Sequence, residues 1–220
     1  MTQSLSRRHV LLTSAAAVAV SATTLRAQTA ETPALSPEAA AITVEDFGIG
    51  DKAAKVQIEE FLSFTCPHCE HFHRDVYPLL KADYIDTGKV RLTYHEVYFD
   101  QYGLLAAMAA RCGGEMRYMG ITDILYDTQK DWAGTDDIAV AVEGLKKVGR
   151  KAGMADDEVD ACLKDQAMAE ALVAHYQTAI TTNFPNDTFG GTPSFIINGT
   201  QYSNMEYADL KVIIDALLAA

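Results

Sequence analysis

An α/β fold carrying an all-helical block is predicted by three features of the 220-residue chain. A strand-like run, Val56 to Phe64, leads straight into a helix-like run from Pro67, with Cys66 and Cys69 at the junction. From about Leu104 to His175 the chain has helical spacing and no convincing strand. It then closes on a short hairpin and a final helix. The order strand, helix, strand, helical block, hairpin, helix pairs strands parallel around the cysteine-bearing helix and antiparallel at the hairpin.

Ile42 to Phe47 alternates as a short strand, and Gly48 to Lys52 has turn composition. Val56 to Phe64 is apolar on both faces, with Val56, Ile58, Leu62 and Phe64 set against Phe61, so it reads as a central strand covered on both sides. Pro67 suits a first helical turn, where its missing N–H is not needed. Phe72, Val76, Leu79, Leu80 and Tyr84 then share one helix face, which ends before Gly88. Because that spacing continues past Pro78, the proline predicts a kink and not a stop. Val90 to Phe99 returns to strand character.

Within the helical block, Gly113-Gly114, Ala133-Gly134 and Gly153 separate the helices, and Asp136-Asp137 and Asp156-Asp157 stand where acids favour helix starts. Trp132, with Tyr118, Met119 and Tyr126, reads as the core of this block. A helix from about Asp165 to Thr182 leads through a turn-rich stretch to Ser194–Asn198, and Asn198-Gly199 turns that strand into Thr200-Gln201-Tyr202. Tyr207, Leu210, Val212, Ile213, Ile214, Leu217 and Leu218 supply the last helix. The predicted organisation is an α/β unit from 42–103 and 176–220, interrupted by a helical insertion at 104–175.

The N-terminus is read as a cleavable export signal over 1–27, followed by a linker over 28–41. Arg7-Arg8 precedes a mild apolar stretch of about 16 residues, short and rich in Ser and Thr for a membrane span, with a membrane anchor left uncleaved as the plain alternative. The pair resembles a twin-arginine signal, with cleavage near Ala27 or Ala30. The full chain carries 18 basic and 30 acidic side chains. Cleavage removes Arg7, Arg8 and Arg26 and no acid, so the mature surface is more acidic still and repels nucleic acid and anionic lipid. Four cysteines do not make a disulfide scaffold at this size, so an apolar core must carry most of the stability.

The chemistry is expected at Cys66-Pro67-His68-Cys69. A helix start presents unpaired N–H groups and the positive end of the dipole, which stabilise a thiolate, so Cys66 is the candidate nucleophile. Cys69, one turn on and on the same face, is its resolving partner. A His68 that donates an N–H or carries a proton favours the thiolate; a solvent-facing loop histidine is the plain alternative. Glu60, six residues before Cys66, either lies buried where it can exchange a proton with Cys69 or points outward. Cys112 and Cys162 read as a structural disulfide ahead of two free buried thiols, and such a bond contributes about 4 kcal/mol by loop entropy. A zinc-binding module is the alternative of a different class: Cys69 and His73 are i and i+4 and could share a metal, but Cys66, Cys69, His71 and His73 cannot all converge from one helix, since His71 points elsewhere.

The Cys66-Pro67-His68-Cys69 motif, the helical insertion and Gly191-Thr192-Pro193 before the hairpin together resemble the thioredoxin superfamily, and within it the DsbA branch of exported dithiol oxidases. The resemblance covers about Ile42 to Ala220. It implies a thioredoxin fold and a periplasmic monomer that acts on reduced exported proteins, with no bound cofactor or metal. It also implies a substrate-facing loop at Thr192-Pro193 with the proline cis, and reoxidation by a membrane quinone-linked partner. A disulfide isomerase or reductase on the same fold is the nearest alternative. Isomerases of this superfamily typically need an added dimerisation domain, for which the linker before Ile42 is too short.

Overall fold

A computed structural model describes residues 34–220. The expected export signal and the first part of the linker lie outside the described residues. A short helix, α1 (Pro37–Ala40), precedes a five-stranded sheet formed by β1 (Gly48–Ile49), β2 (Val56–Leu62), β3 (Val90–Glu96), β4 (Ser194–Ile197) and β5 (Thr200–Ser203), in the order β1-β3-β2-β4-β5. β2 and β3 run parallel, with Ile58 opposite Leu92 and Glu60 opposite Tyr94, and the other three pairings are antiparallel. The α/β class and the central, doubly covered position of β2 are as the sequence predicts.

The two faces of β2 explain where the core sits. Val56, Ile58 and Leu62 join Phe72, Leu80, Val90, Leu92, Phe195, Leu210 and Ile214 in the main buried cluster. Phe61 faces the other way, into a smaller cluster with Val97, Phe184 and Ile196. Tyr176 and Ile180 of α9 (Gln166–Asn183) cover that second face. At about 25 cal/mol per Å² of apolar area, burial on both faces of one strand is a large share of what holds this fold together.

The helix after Cys66 is irregular. It comprises α2 (Pro67–His71), a π-helical turn (Phe72–Val76), α3 (Tyr77–Leu80) and a second π-helical turn (Lys81–Ile85). Pro78 has no N–H to give the carbonyl four residues back, and its ring crowds that carbonyl. The π turn just before it absorbs the misfit, so the helix bends and continues.

The first strand is a correction. Residues 42–47 do not form a strand; β1 is Gly48–Ile49, inside the stretch that reads as a turn. The cause is steric: a Cβ at Gly48 would stand 2.4 Å from the Leu92 carbonyl oxygen, and one at Gly50 (φ +101°) 2.4 Å from that of Val90. Glycine composition is here what lets an edge segment approach β3.

The region read as an insertion holds α4 (Gln101–Cys112), α5 (Glu115–Asp127), α6 (Gln129–Trp132), α7 (Ile138–Lys151) and α8 (Asp156–Leu163), and α9 runs unbroken through 175–176. Asp137 caps α7 by accepting the Ala139 N–H, and Asp156 and Asp157 lie in the first turn of α8. Trp132 is fully buried, with its indole N–H given to the Leu125 carbonyl. Asn198 and Gly199, both at positive φ, close the β4–β5 hairpin, and α10 (Tyr207–Ala219) ends the chain. Cys112 and Cys162 are bonded, tying α4 to α8 across 50 residues. Replacing both with alanine should cost at most about 4 kcal/mol by loop entropy, read in urea melts.

Candidate active site

β2 delivers the chain to a tight turn, Ser63-Phe64-Thr65, which ends on Cys66 as the N-cap of α2 with Pro67 at the first helical position. Cys66 donates its N–H to the Ser63 carbonyl at 3.1 Å, which closes the turn. Side chains from the helical region hold the turn from outside. Gln129 Nε2 donates to the carbonyls of Phe64 (2.8 Å) and Cys66 (3.0 Å), and the Tyr126 hydroxyl donates to that of Ser63. Thr65 Oγ1 donates to Asp100 Oδ2 at 2.9 Å, while Asp100 also caps α4. Sequence reasoning missed Asp100, Tyr126 and Gln129 as supports, because no local signal connects residues so far apart.

The two sulfurs have opposite environments. Cys66 is half-buried, and its pKa is lowered from 9.0 to about 5. The largest cause is a hydrogen bond from the Cys69 thiol; the Thr192 side chain and the backbone N–H groups of Cys69 and His68 add to it against the opposing effect of partial burial. Cys69 is fully buried, and its pKa is pushed well above 9.0 by desolvation, by the hydrogen bond its thiol donates to Cys66 and by the nearby Glu60 and Cys66 charges. The Ser63 N–H, 3.5 Å from Cys69 Sγ, offsets only part of this.

Glu60 turns inward, buried to 2% exposure, with Oε2 unpartnered among the described residues. Desolvation, reinforced by the Cys66 charge, raises its pKa to about 8, so it carries a proton at neutral pH. Pro67 and His68 are exposed. The His68 backbone N–H supports the thiolate, while its side chain lines a pocket of about 520 Å³ together with Thr188, Gly190, Thr192, Pro193 and Tyr202. The Thr192-Pro193 peptide is cis.

Thr192 faces Cys66 with two groups of opposite sense. Its carbonyl, 3.2 Å from Sγ, accepts from the thiol and favours the protonated form. Its hydroxyl is buried with no hydrogen-bond partner in this geometry and, as a nearby donor to the thiolate, lowers the pKa. Thr192→Val keeps the shape and removes the donor, so the thiolate titration followed at 240 nm should move above about pH 5. An unmoved midpoint would remove Thr192 from this role.

Below about pH 5, folded and unfolded dithiol chains both keep the Cys66 proton; between 5 and 9 only the unfolded chain does. The stability contributed by Cys66 therefore grows as pH rises through that window and is absent below it. The disulfide form lacks this Cys66 titration. The stability of the dithiol form relative to the disulfide form should accordingly rise from pH 5 towards 9. The gain is about 1 kcal/mol at pH 7 after discounting for the half-exposed sulfur. Thermal melts of both forms across that range measure it.

His71 and His73 do not join the cysteines. His71 Nδ1 pairs with Asp75 at 2.7 Å, and the buried His73 pairs with Asp123 at 2.7 Å while stacking on Tyr77. A zinc site at the motif therefore has no geometric support.

A thioredoxin family model matches residues 43–216. A protein of Rickettsia bellii carrying the name "Putative protein-disulfide oxidoreductase" is 34% identical over 175 residues, which cover 79% of this chain and 65% of that one. The chain thus spans just under two thirds of that relative's length. Disulfide bond formation protein D of Bacillus subtilis is 36% identical over 63 residues, 28% of each chain. Among solved structures, alpha-DsbA1 of Wolbachia pipientis superposes with a TM-score of 0.70 at 24% identity, over 84% of this chain and 96% of that one, which shows the shared fold. With a family model spanning most of the described residues and a five-stranded mixed sheet carrying Cys-x-x-Cys at its central helix start, the chain belongs to the thioredoxin family.

Proposed function

We propose that this protein is a thiol:disulfide oxidoreductase of the DsbA type working as an oxidase, which donates a Cys66–Cys69 disulfide to reduced exported proteins. The observation that carries this reading is the contrast between the two sulfurs: a half-exposed one held as thiolate beside a buried one held as thiol. Stabilising the Cys66 thiolate stabilises the dithiol form, and a stable dithiol makes its disulfide a strong oxidant.

In the proposed cycle a substrate thiolate attacks Cys66 Sγ, the Cys66–Cys69 bond breaks, and its electron pair leaves on Cys69. Cys69, buried and poorly stabilised as thiolate, takes a proton; Glu60, protonated at neutral pH, is the group poised to give it. A second substrate thiolate then attacks the substrate sulfur of the mixed disulfide and releases Cys66 as thiolate. Two electrons pass to the protein and the substrate gains one disulfide. The pocket along Gly190, Thr192 and Tyr202 is where the substrate chain would lie. A membrane quinone-linked oxidase would take the electrons onward, and a periplasmic site of action follows from the export signal read in the sequence. Among the described residues no helix is long and apolar enough to cross a membrane.

The equilibrium of Cys66 and Cys69 with glutathione, in the protein and in its Cys112→Ala/Cys162→Ala variant, tests the direction. A potential near the roughly −120 mV of DsbA supports an oxidase, whereas one near the roughly −270 mV of thioredoxin replaces it with a reductase.

A further inference from the structure

Three segments distant in sequence bring a separate set of donor atoms together on the α9 side of the sheet. Asp46 precedes β1, His95 is on β3 and His175 is on α9. Asp46 Oδ1 lies 2.8 Å from His175 Nε2 and Asp46 Oδ2 lies 3.1 Å from His95 Nδ1. One ligand atom from each residue fits within a 4.8 Å cluster.

The His95 ring is fixed on both sides. It stacks on Phe61 with centroids 4.6 Å apart, and its far nitrogen, Nε2, stands 3.0 Å from Glu59 Oε2. A carboxylate behind one imidazole nitrogen holds the proton there and turns the other nitrogen's lone pair forward, as in carboxylate–histidine–metal arrangements. Nδ1 is buried and, although close to Asp46, makes no hydrogen bond of acceptable geometry. Nδ1 and Asp46 Oδ2 thus stand close without an aligned N–H···O bond, a spacing that suits two ligands of one cation.

We infer that Asp46, His95 and His175 form a binding site for a divalent transition-metal ion of the zinc class, with Glu59 as the positioning residue behind His95. Two imidazole nitrogens and one carboxylate oxygen suit zinc and its neighbours and disfavour calcium and magnesium, which take all-oxygen sets. Ligands of a tetrahedral zinc at about 2.0–2.1 Å stand about 3.3 Å apart, a spacing these atoms reach with small side-chain shifts. His175 borders a solvent-open pocket of about 220 Å³ with Ala39, Val44 and Ala171, which gives the ion a route in and water a place on the open coordination position. The ion would fasten α9 and the segment before β1 to β3. The site is independent of the redox cysteines.

The test uses the full-length protein with both disulfides formed, so that no thiol competes. Titration with Zn²⁺ by calorimetry and with Co²⁺ by visible absorption should give one ion per chain and the bands of a low-symmetry, nitrogen- and oxygen-ligated cobalt. His175→Ala, at a partly exposed position of α9, should weaken zinc binding at least tenfold. Glu59→Gln, which removes no ligand, should weaken it about tenfold through the ring it orients. Zinc should raise the melting temperature of the parent protein and not that of His175→Ala. If the disulfide-bonded protein takes up no zinc, or if both variants bind it as tightly as the parent, the inference fails and His95 is an imidazolium shared between Asp46 and Glu59.

Discussion

Cys69→Ala should hold the protein as a mixed disulfide. Offered a small peptide disulfide, Cys66 attacks as thiolate, one peptide sulfur leaves, and the adduct persists because the thiol that would resolve it has gone. Intact-mass measurement should find one peptide per chain in Cys69→Ala, none in Cys66→Ala, and turnover at background in both. The same variant isolates the main reason for the low Cys66 pKa. Since the Cys69 thiol is the largest lowering influence, Cys69→Ala should raise the Cys66 titration by about a unit or more above its value near 5. Cys69→Ser, which keeps a donor in place, should raise it less. Equal midpoints in the alanine and serine variants would shift the credit to the helix N–H groups and Thr192.

The candidate redox site was legible in the sequence because its parts are close in the chain: strand, turn, N-cap cysteine, helix. β2, the hairpin and the bent helix after Cys66 were legible for the same reason, each resting on a local period or a turn residue. What the sequence could not give is what long-range pairing decides. Gly48–Ile49 reads as a turn and pairs as a strand, because backbone clearance against Leu92 and Val90 outweighs local composition. Glu60 is indistinguishable from Glu59 in the sequence, yet the pleat of β2 buries one beside the cysteines and hands the other to His95. Asp46, His95 and His175 carry no motif spacing at all, and only the parallel register of β2 on β3 and the docking of α9 bring them together.

Arg111→Met should be the most destabilising single change outside the apolar core. Glu96, at the buried end of β3, has a side chain only 2% exposed, and Arg111 Nε reaches both of its oxygens, at 2.7 and 3.1 Å. The hydroxyls of Tyr118 (2.7 Å) and Tyr98 (2.8 Å) complete the shell, and Arg111 also donates to the Glu45 carbonyl while lying over the Phe47 ring. Removing the guanidinium strands a buried carboxylate, a change that typically costs about 3–5 kcal/mol; the two remaining phenol donors hold it near the lower figure, about 3 kcal/mol. For a domain of this size that is a fall of about 6–12 °C in melting temperature. The pH dependence separates this cause from lost packing. Because the penalty belongs to an unpaired buried charge, the variant's deficit should be smaller in acid, where carboxylates are neutral, than at neutral pH. Glu96→Gln placed on Arg111→Met should recover about 1 kcal/mol or more at pH 7, because a neutral amide has no charge to strand. A deficit that stays constant from pH 4.5 to 8, with no recovery in the double variant, would mean that the arginine acts through its contact with Phe47 and Tyr118 and not through its charge.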